Sequence, residues 1–585
     1  MILDADRRIG GPYTFAAGLL GHLVPVALER WPGLVAAYDI EIRAAAPALR
    51  DLVPARRRSL ADELPRAQRI LVPGARRTLR IANGLAEFVR DHLLRAGPLT
   101  LSVHNLGEAD HTDAELVTVL RRRLAPELLR IEEGPSAPGA GPLPADFDRF
   151  RDEGFHHAMA ESGLEALRGL TYEDDPAGWE HLLQRVAGAL EAVEREDEAR
   201  ELYDRARRES TDPKRRATAA YATAMILVRH HDPARRDPEQ ALAWVNEAIT
   251  ITSLLPDRRE RAFHLGFDLN GKALVEVRRD RRAAAAELVR QAIDLAETDL
   301  ADEHPIHRLV LYANRGQLLA MAGRHEAALA DYTRAIEADP GYPDYYLDRG
   351  NLLHKLGRLA EALADYESVM RLSPPFPEAY YNRAELRFVS GDHEGARADL
   401  DHTLDLDPSF TPAYVNRSGL HAAAGDYARA RQDVEQGLRL APRDPHLLCV
   451  LGQIELAESR YPEARMAFDT ALELDPELVA AWASRAELAF ERGDRSAALT
   501  DLTHALKLEE TAELLFNRSV VYRAAGLPEQ ARQDLVRAAE LAPGDEDVGR
   551  ALAELREVRP PASRTDDEGA SRSGPPEESL PRGPR

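Results

Sequence analysis

From Leu309 to Asp545 the apolar and polar positions fall into one pattern of about 34 residues that recurs seven times. The repeats begin at Leu309, Pro343, Pro377, Thr411, Pro445, Val479 and Ala512, and only the sixth is short, by a single residue. Each predicts two amphipathic helices with a glycine turn between them and a proline behind them. The eighth place is small throughout (Gly316, Gly350, Ala384, Ser418, Gly452, Ala486, Ser519), and the twentieth is always alanine, from Ala328 to Ala531. Antiparallel helices pack closely only where small side chains face each other. Gly323, Gly357, Gly391, Gly425, Gly493 and Gly526 stand where the first helix ends, in the left-handed cap that glycine enters cheaply. Asp339-Pro340, Asp407-Pro408 and Asp475-Pro476 stop second helices, because proline cannot continue the hydrogen-bond ladder.

On these residues the chain resembles the tetratricopeptide repeat family. The resemblance implies a mostly α fold, a right-handed superhelix of helix pairs with a concave groove, and binding of other proteins rather than catalysis. Poorer copies precede the regular array. Glu180 to Pro213 fits one, Lys214 to about Pro256 a second, lengthened by VRHHDPARRDPEQ between its helices, and residues 257–305 a third. Residues 149–305 thus read as irregular repeats, 309–545 as seven regular ones, and the solenoid as about ten helix pairs. The tail, 558–585, is rich in Pro, Ser, Gly and charge and is expected to be disordered.

Residues 1–133 are not repetitive, and GPSAPGAGPLPAD marks a linker over 134–148. GPYTFAAGLLGHLVPVALERW and DIEIRAAAPALRDLV predict helices with a short extended piece near Ile40. TLRIANGLAEFVRDHLLRA (78–96) predicts a helix broken by Gly84. LTLSVHN (99–105) and ELLRIEEG (127–134) predict strands around a helix (111–124) opened by Thr112 or Asp113, which is one β–α–β crossover in a small α/β domain. LTLSVHNLGEADHTDAELVTVLRRR resembles the Walker B strand and helix of bacterial signal-transduction (STAND-type) ATPases. Ala109-Asp110 matches, but His104 and Asn105 stand where the resemblance implies acids for magnesium and water. No G-x-x-x-x-G-K-[ST] precedes residue 99, so the resemblance implies a pseudo-ATPase, a degenerate nucleotide fold without a working site. Gly266 to Ala273 nearly spells a phosphate loop but reads as the first helix of a repeat, with Ala273 at the small-residue place.

The net charge is 76 − 99 = −23, and the first 150 residues are close to balanced, so the excess acid lies in the repeats and tail. Such a surface repels phosphates, so nucleic acid is not an expected partner. One cysteine, Cys449, excludes an internal disulfide. No apolar stretch has the length of a membrane span, and MILDADRRIG lacks the apolar core of a signal peptide, so a cytoplasmic protein away from membranes is expected. Only four lysines stand among the basic residues, consistent with a GC-rich bacterial source.

Two sets of residues are candidates for work. The seventh place holds Arg315, Arg349, Arg383, Arg417, Leu451, Arg485 and Arg518; the twenty-third holds Asp331, Asp365, Asp399, Asp433, Ala467, Asp501 and Asp534. The one repeat without the arginine is the one without the aspartate, so each Arg is expected to pair with the Asp of its own repeat as a structural ion pair. The second set is the first-helix line that the resemblance makes a peptide-binding groove: Asn314, Asp348, Tyr381, Asn382, Glu385, Phe388, Asn416, Leu456, Phe490 and Asn517. Amides can satisfy an extended peptide, aromatics supply pockets, and the charged members are mostly acidic. The expected ligand is another protein's peptide or helix with apolar anchors and some positive charge. No H-E-x-x-H, C-x-x-C or G-x-S-x-G occurs, and His156-His157 and His230-His231 would diverge on helices, so no cofactor, metal or catalytic residue is expected. The chain reads as a non-catalytic scaffold. The alternatives are a STAND-like ATP-binding switch with a repeat sensor, and a self-associating assembly protein; oligomeric state is left open.

Overall fold

Three parallel strands, β1 (Ile2–Asp4), β2 (Leu99–His104) and β3 (Leu129–Glu133), lie in the order β1-β2-β3. Ile2 stands opposite Ser102, and Leu99 opposite Leu129. The computed structural model describes residues 1–56, 58–60, 64, 77–137, 139, 146–300 and 303–557. Strand β1 is a departure from expectation: its three residues run directly into Ala-Asp-Arg-Arg and are too short to show alternation. Helices α1 (Thr14–Arg30), α2 (Asp39–Ala45), α3 (Arg77–Ala96) and α4 (His111–Arg123) pack around the sheet. Leu101, Val103, Phe88, Leu116 and Leu120 form its core.

Three expectations are corrected here. Ile40 is helical, within α2, where a short extended piece was expected. Helix α3 runs unbroken through Gly84; a Cβ there would meet Glu41 Cγ of α2 at 2.5 Å, so the glycine serves close packing instead of ending the helix. Helix α4 is capped by Asp110, whose carboxylate accepts from the N–H groups of Thr112 and Asp113. The Gly/Pro segment after β3 is tied down where it is described. Gly134 N–H donates to Val103 O at 2.8 Å, Ala137 N–H to Asn105 Oδ1 at 2.6 Å and Gly139 N–H to Asp6 Oδ2 at 2.6 Å. The rest of that linker (138, 140–145) and the tail 558–585 lie outside the described residues.

Helix pairs follow. Three are irregular: α5 (Pro176–Ala192) with α6 (Glu196–Glu209), α7 (Pro213–Arg229) with α8 (Pro238–Thr252), and α9 (Arg258–Arg278) with α10 (Arg282–Thr298). The near phosphate loop at 266–273 lies inside α9, with Ala273 buried. Seven regular pairs run from Pro305–Met321 with His325–Ala338 to Ala512–Ala524 with Pro528–Leu541. The first helix packs on the second through the small eighth place. A Cβ at Gly316, Gly350 or Gly452 would stand 2.5 to 3.0 Å from the ring of Tyr332, Tyr366 or Phe468. The cap glycines have φ of 72° to 80°. In the fifth repeat Ser459 takes that place at φ 59°, and Glu194 and Asp280 do so in two irregular pairs.

The chain divides into two compact units, Met1–Leu386 and Arg387–Arg585. Within the first, the strand-bearing region is seated on the regular repeats. Leu60 N–H donates to Asp339 Oδ1 at 2.9 Å, and the Arg80 guanidinium lies 3.6 Å over the Phe376 ring. A Cβ at Gly341 would stand 1.8 Å from the carbonyl oxygen of Arg58. The residues at the same place before the next five repeats are Pro375, Ser409, Arg443, Glu477 and Glu510, so among the turns between regular repeats only the one that receives this arm has a glycine; Gly544 follows the last repeat.

Candidate functional site

Four of the seventh-place arginines grip two partners each, and the geometry repeats. Arg315, Arg349, Arg417, Arg485 and Arg518 send Nε and Nη2 to the two oxygens of Asp331, Asp365, Asp433, Asp501 and Asp534, at 2.6 to 2.9 Å. Arg383 lies in one compact unit and Asp399 in the other; within the second unit Asp399 accepts from Arg387 Nη1 at 2.9 Å. Pairing within each repeat is only part of the arrangement, because the third nitrogen goes further. Nη1 of Arg349, Arg417, Arg485 and Arg518 reaches the preceding repeat, at Thr333, Asp401, Asp469 and Thr503. Each guanidinium therefore sews one helix pair to the one before it. Five seventh-place arginines also lie 4.6 to 5.9 Å from an aromatic ring one turn earlier (Tyr312, Tyr346, Tyr380, Tyr414, Trp482). The aspartates are buried, and the carboxylate bonds raise the pKa of Arg315, Arg349, Arg485 and Arg518. Arg417 is raised too, although burial opposes its charge.

The first-helix line keeps a different character. Asn314, Asp348, Tyr381, Asn382 and Glu385 in the first unit, and Phe388, Asn416, Phe490 and Asn517 in the second, are partly exposed. Leu456 differs. It is 5% exposed, within the cluster of Phe468, Leu472, Leu478 and Leu488, and is part of the packing instead of an open surface. The amides spend part of their capacity on neighbouring first helices. Asn314 Nδ2 donates to Asn270 Oδ1 at 2.9 Å, Asn382 Nδ2 to Asn351 Oδ1 at 2.8 Å, and Gln453 Nε2 to Ser484 Oγ at 2.9 Å. Asn351 and Gln453, at the ninth place, were absent from the candidate line, and the recurring donor and acceptor three places apart in adjacent repeats was the signal for them. Burial pushes the Asp348 carboxyl up to about 7, with Asp344 adding repulsion. Tyr381 donates to Glu385 at 2.8 Å.

The strand-bearing region has the crevice that parallel sheets offer at the carboxyl ends of their strands. Its own chain occupies it. At the start of α1, the place where a phosphate would meet helix amides, Phe15 and Ala16 N–H donate to Asp113 at 2.8 and 3.0 Å. Tyr13 N–H donates to Thr112 Oγ1 at 3.1 Å. Asp113 is buried, and desolvation with the neighbouring Asp110 pushes its carboxyl up to about 8. Asp6 accepts from Arg8 and Gly139, and Asn105 donates to Asp4 at 2.9 Å. Two amides at the start of α1 thus already hold a carboxylate, and His104 and Asn105 offer no acid for magnesium. His157 of the other histidine pair stacks on His111 at 3.7 Å, and burial lowers it to about 4.

Stacked helical hairpins with a small residue at one fixed place define a helical-repeat solenoid. Sequence profiles described as TPR repeat match residues 316–357 and 350–391, and those described as tetratricopeptide repeat match 420–479 and 484–546. The chain therefore carries tetratricopeptide repeats over these stretches. A curated relative, human tetratricopeptide repeat protein 6, is 32% identical over 87 residues, 15% of this chain, and the match spans 17% of that protein's length. Among solved structures, the APC/C hetero-tetramer Cut9-Hcn1 covers 70% of this chain and 95% of its own at 15% identity, with a TM-score of 0.38. Yeast Tom70 covers 70% and 93% at 16% identity, with a TM-score of 0.35. Proteins of this repeat class typically mediate protein–protein interactions and are generally non-catalytic. Among the described residues no helix is long and apolar enough to cross a membrane.

Proposed function

We propose that the protein is a non-catalytic scaffold whose first-helix face binds a peptide or helix of another protein, one with apolar anchors and some positive charge. The observation that supports this is the division of labour between the two helix faces. The arginines and aspartates that a charged ligand could have used are spent on stitching repeats together. The first-helix line keeps partly exposed amides, aromatics and acids, with Asp348, Tyr381, Asn382 and Glu385 grouped on repeats two and three. An acidic, aromatic surface favours a cationic segment with apolar side chains.

Against the switch reading stands Asp113, which holds two α1 amides that a nucleotide phosphate would otherwise meet. Fluorescence polarisation against a peptide library that varies charge and apolar content tests the proposal. Basic amphipathic peptides bind, salt weakens them, and Asp348→Lys with Glu385→Lys abolishes the preference. Preferential binding of acidic peptides, or no effect of the double charge reversal, overturns it. Calorimetry with ATP and Mg²⁺ should show no heat; micromolar binding would restore the switch.

A further inference from the structure

The loop that lengthens the second irregular helix pair falls outside the repeat template, and it opens with His230 and His231. As helical neighbours these rings would diverge. They do not, because α7 ends at Arg229 and His230 leaves it extended, at φ −40° and ψ 133°. The two rings then lie 4.6 Å apart at a tilt of 31°. His231 Nδ1 stands 2.9 Å from Glu196 Oε1, on the first residue of α6 in the preceding helix pair. One ligand atom from each of Glu196, His230 and His231 lies within 4.8 Å of the other two.

The trio is also unevenly satisfied. His230 is 4% exposed; its Nδ1 accepts the Asp232 N–H at 3.0 Å, and its Nε2 meets no hydrogen-bond partner. A buried polar nitrogen left in that state is costly unless something takes it. The neighbouring cation is already engaged: Arg235 grips Asp197, on the residue after Glu196.

We propose that Glu196, His230 and His231 form a binding site for a divalent transition-metal ion of the zinc class. Two imidazoles and one carboxylate suit such an ion, whereas calcium and magnesium take all-oxygen sets. Ligand atoms around tetrahedral zinc stand about 3.3 Å apart, given bonds of about 2.0 Å, so small rotations of the half-exposed His231 close the set. Ligation through Nε2 of His230 satisfies that nitrogen, moves the ring proton to Nδ1 and turns the Asp232 amide away; the His231–Glu196 contact is the other one given up, replaced by bonds from both groups to the ion. Water fills the fourth position. The bound ion pins the inserted loop to the start of α6 and so joins two consecutive helix pairs that lack the arginine stitch of the regular array.

The full chain, stripped with chelator and titrated with zinc chloride by calorimetry, tests this, with cobalt(II) absorption reporting coordination geometry. One ion binds per chain, the visible bands of tetrahedral cobalt appear, and zinc raises the melting temperature. His231→Gln and Glu196→Gln, both at positions that tolerate a polar amide, weaken binding roughly tenfold or more and lose the thermal shift. His446→Gln, an exposed histidine elsewhere, changes nothing. Circular dichroism establishes that each variant is folded, so a failure of the buried His230→Ala to fold leaves the other two decisive. No saturable zinc binding by the wild type overturns the proposal. So does wild-type affinity in both variants, which would make Glu196 and His231 an ion pair only.

Discussion

The fifth regular repeat and its two neighbours, all in the second compact unit, share a backbone pattern and differ in how they are fastened. In the fourth and sixth, Arg417 and Arg485 each hold the aspartate of their own repeat with two nitrogens and an aspartate of the preceding repeat with the third. The fifth has Leu451 and Ala467 at those places, Leu448 where the ring would stand, and Ser459 at the left-handed cap. Its junction to the fourth repeat is closed instead by Arg431, which donates to Glu455 at 2.7 Å and Glu458 at 2.6 Å, with Arg460 bonded to the same two acids. Phe468 replaces the tyrosine that fills this position in the first two repeats and seals against Gly452. The lesson is that a solenoid needs a fastener at each junction but not a particular one. The buried stitch is a unit that is present or absent whole, because half of it would leave a buried charge unpaired.

Breaking the stitch has the largest expected effect. Arg485→Leu leaves Asp501 buried without its main partner and costs roughly 3 kcal/mol in chemical denaturation. Removing Asp501 as well, by Asp501→Ala, recovers a large part of that loss. If the double variant loses as much as the two single variants summed, the stitch is not an energetic unit.

A carboxylate with no arginine stitch shows the opposite behaviour. The folded-state pKa of Asp348 is about 7, above the ordinary value of 3.8, so the folded protein holds a proton that the unfolded chain releases. Stability contributed by this group is therefore full below about pH 4 and falls as pH rises towards 7. Asp348→Asn flattens that slope, by roughly 1–2 kcal/mol after allowance for its partial exposure to solvent. A denaturation series from pH 4 to 8 reads it directly.

Smaller effects refine the contrast. Arg431→Ala loosens the fifth repeat's substitute fastener by about 1 kcal/mol, because Arg460 still serves the same acids. Ser459→Gly relieves a left-handed residue and stabilises by about 0.5–1 kcal/mol, whereas the same change at an ordinary helix position destabilises. A fall in stability at Ser459→Gly would mean that the serine has a role beyond its backbone.

Much of this was legible in the sequence because repetition supplies its own internal comparison. The small eighth place, the cap glycines and the linked presence of arginine and aspartate are visible without any second chain. The crossing from one repeat to the preceding one was not, since Thr333, Asp401, Asp469 and Thr503 share a role but not a residue type. Non-repetitive stretches were harder. Strand β1 is too short for a period, and Gly84 reads as a breaker until Glu41 is seen pressed against it. The divergence expected of the histidine pair at 230 rests on placing both residues in a helix; the helix ends at Arg229, and that end decides where the rings point. Of the candidate groove, the first-helix line was readable, but the burial of Leu456 depends on neighbours in three dimensions.

The bond from Leu60 to Asp339 spans 279 residues of sequence. Among the described residues the helix pairs otherwise rest mainly on contacts with adjacent pairs, which form early and locally during synthesis. The amino-terminal arm must wait until the ribosome has delivered the end of the first regular repeat before its seat at Asp339 and Gly341 exists. A nascent or truncated chain that stops before that turn holds an arm with nowhere to land, so this contact forms only after most of the first compact unit has been made.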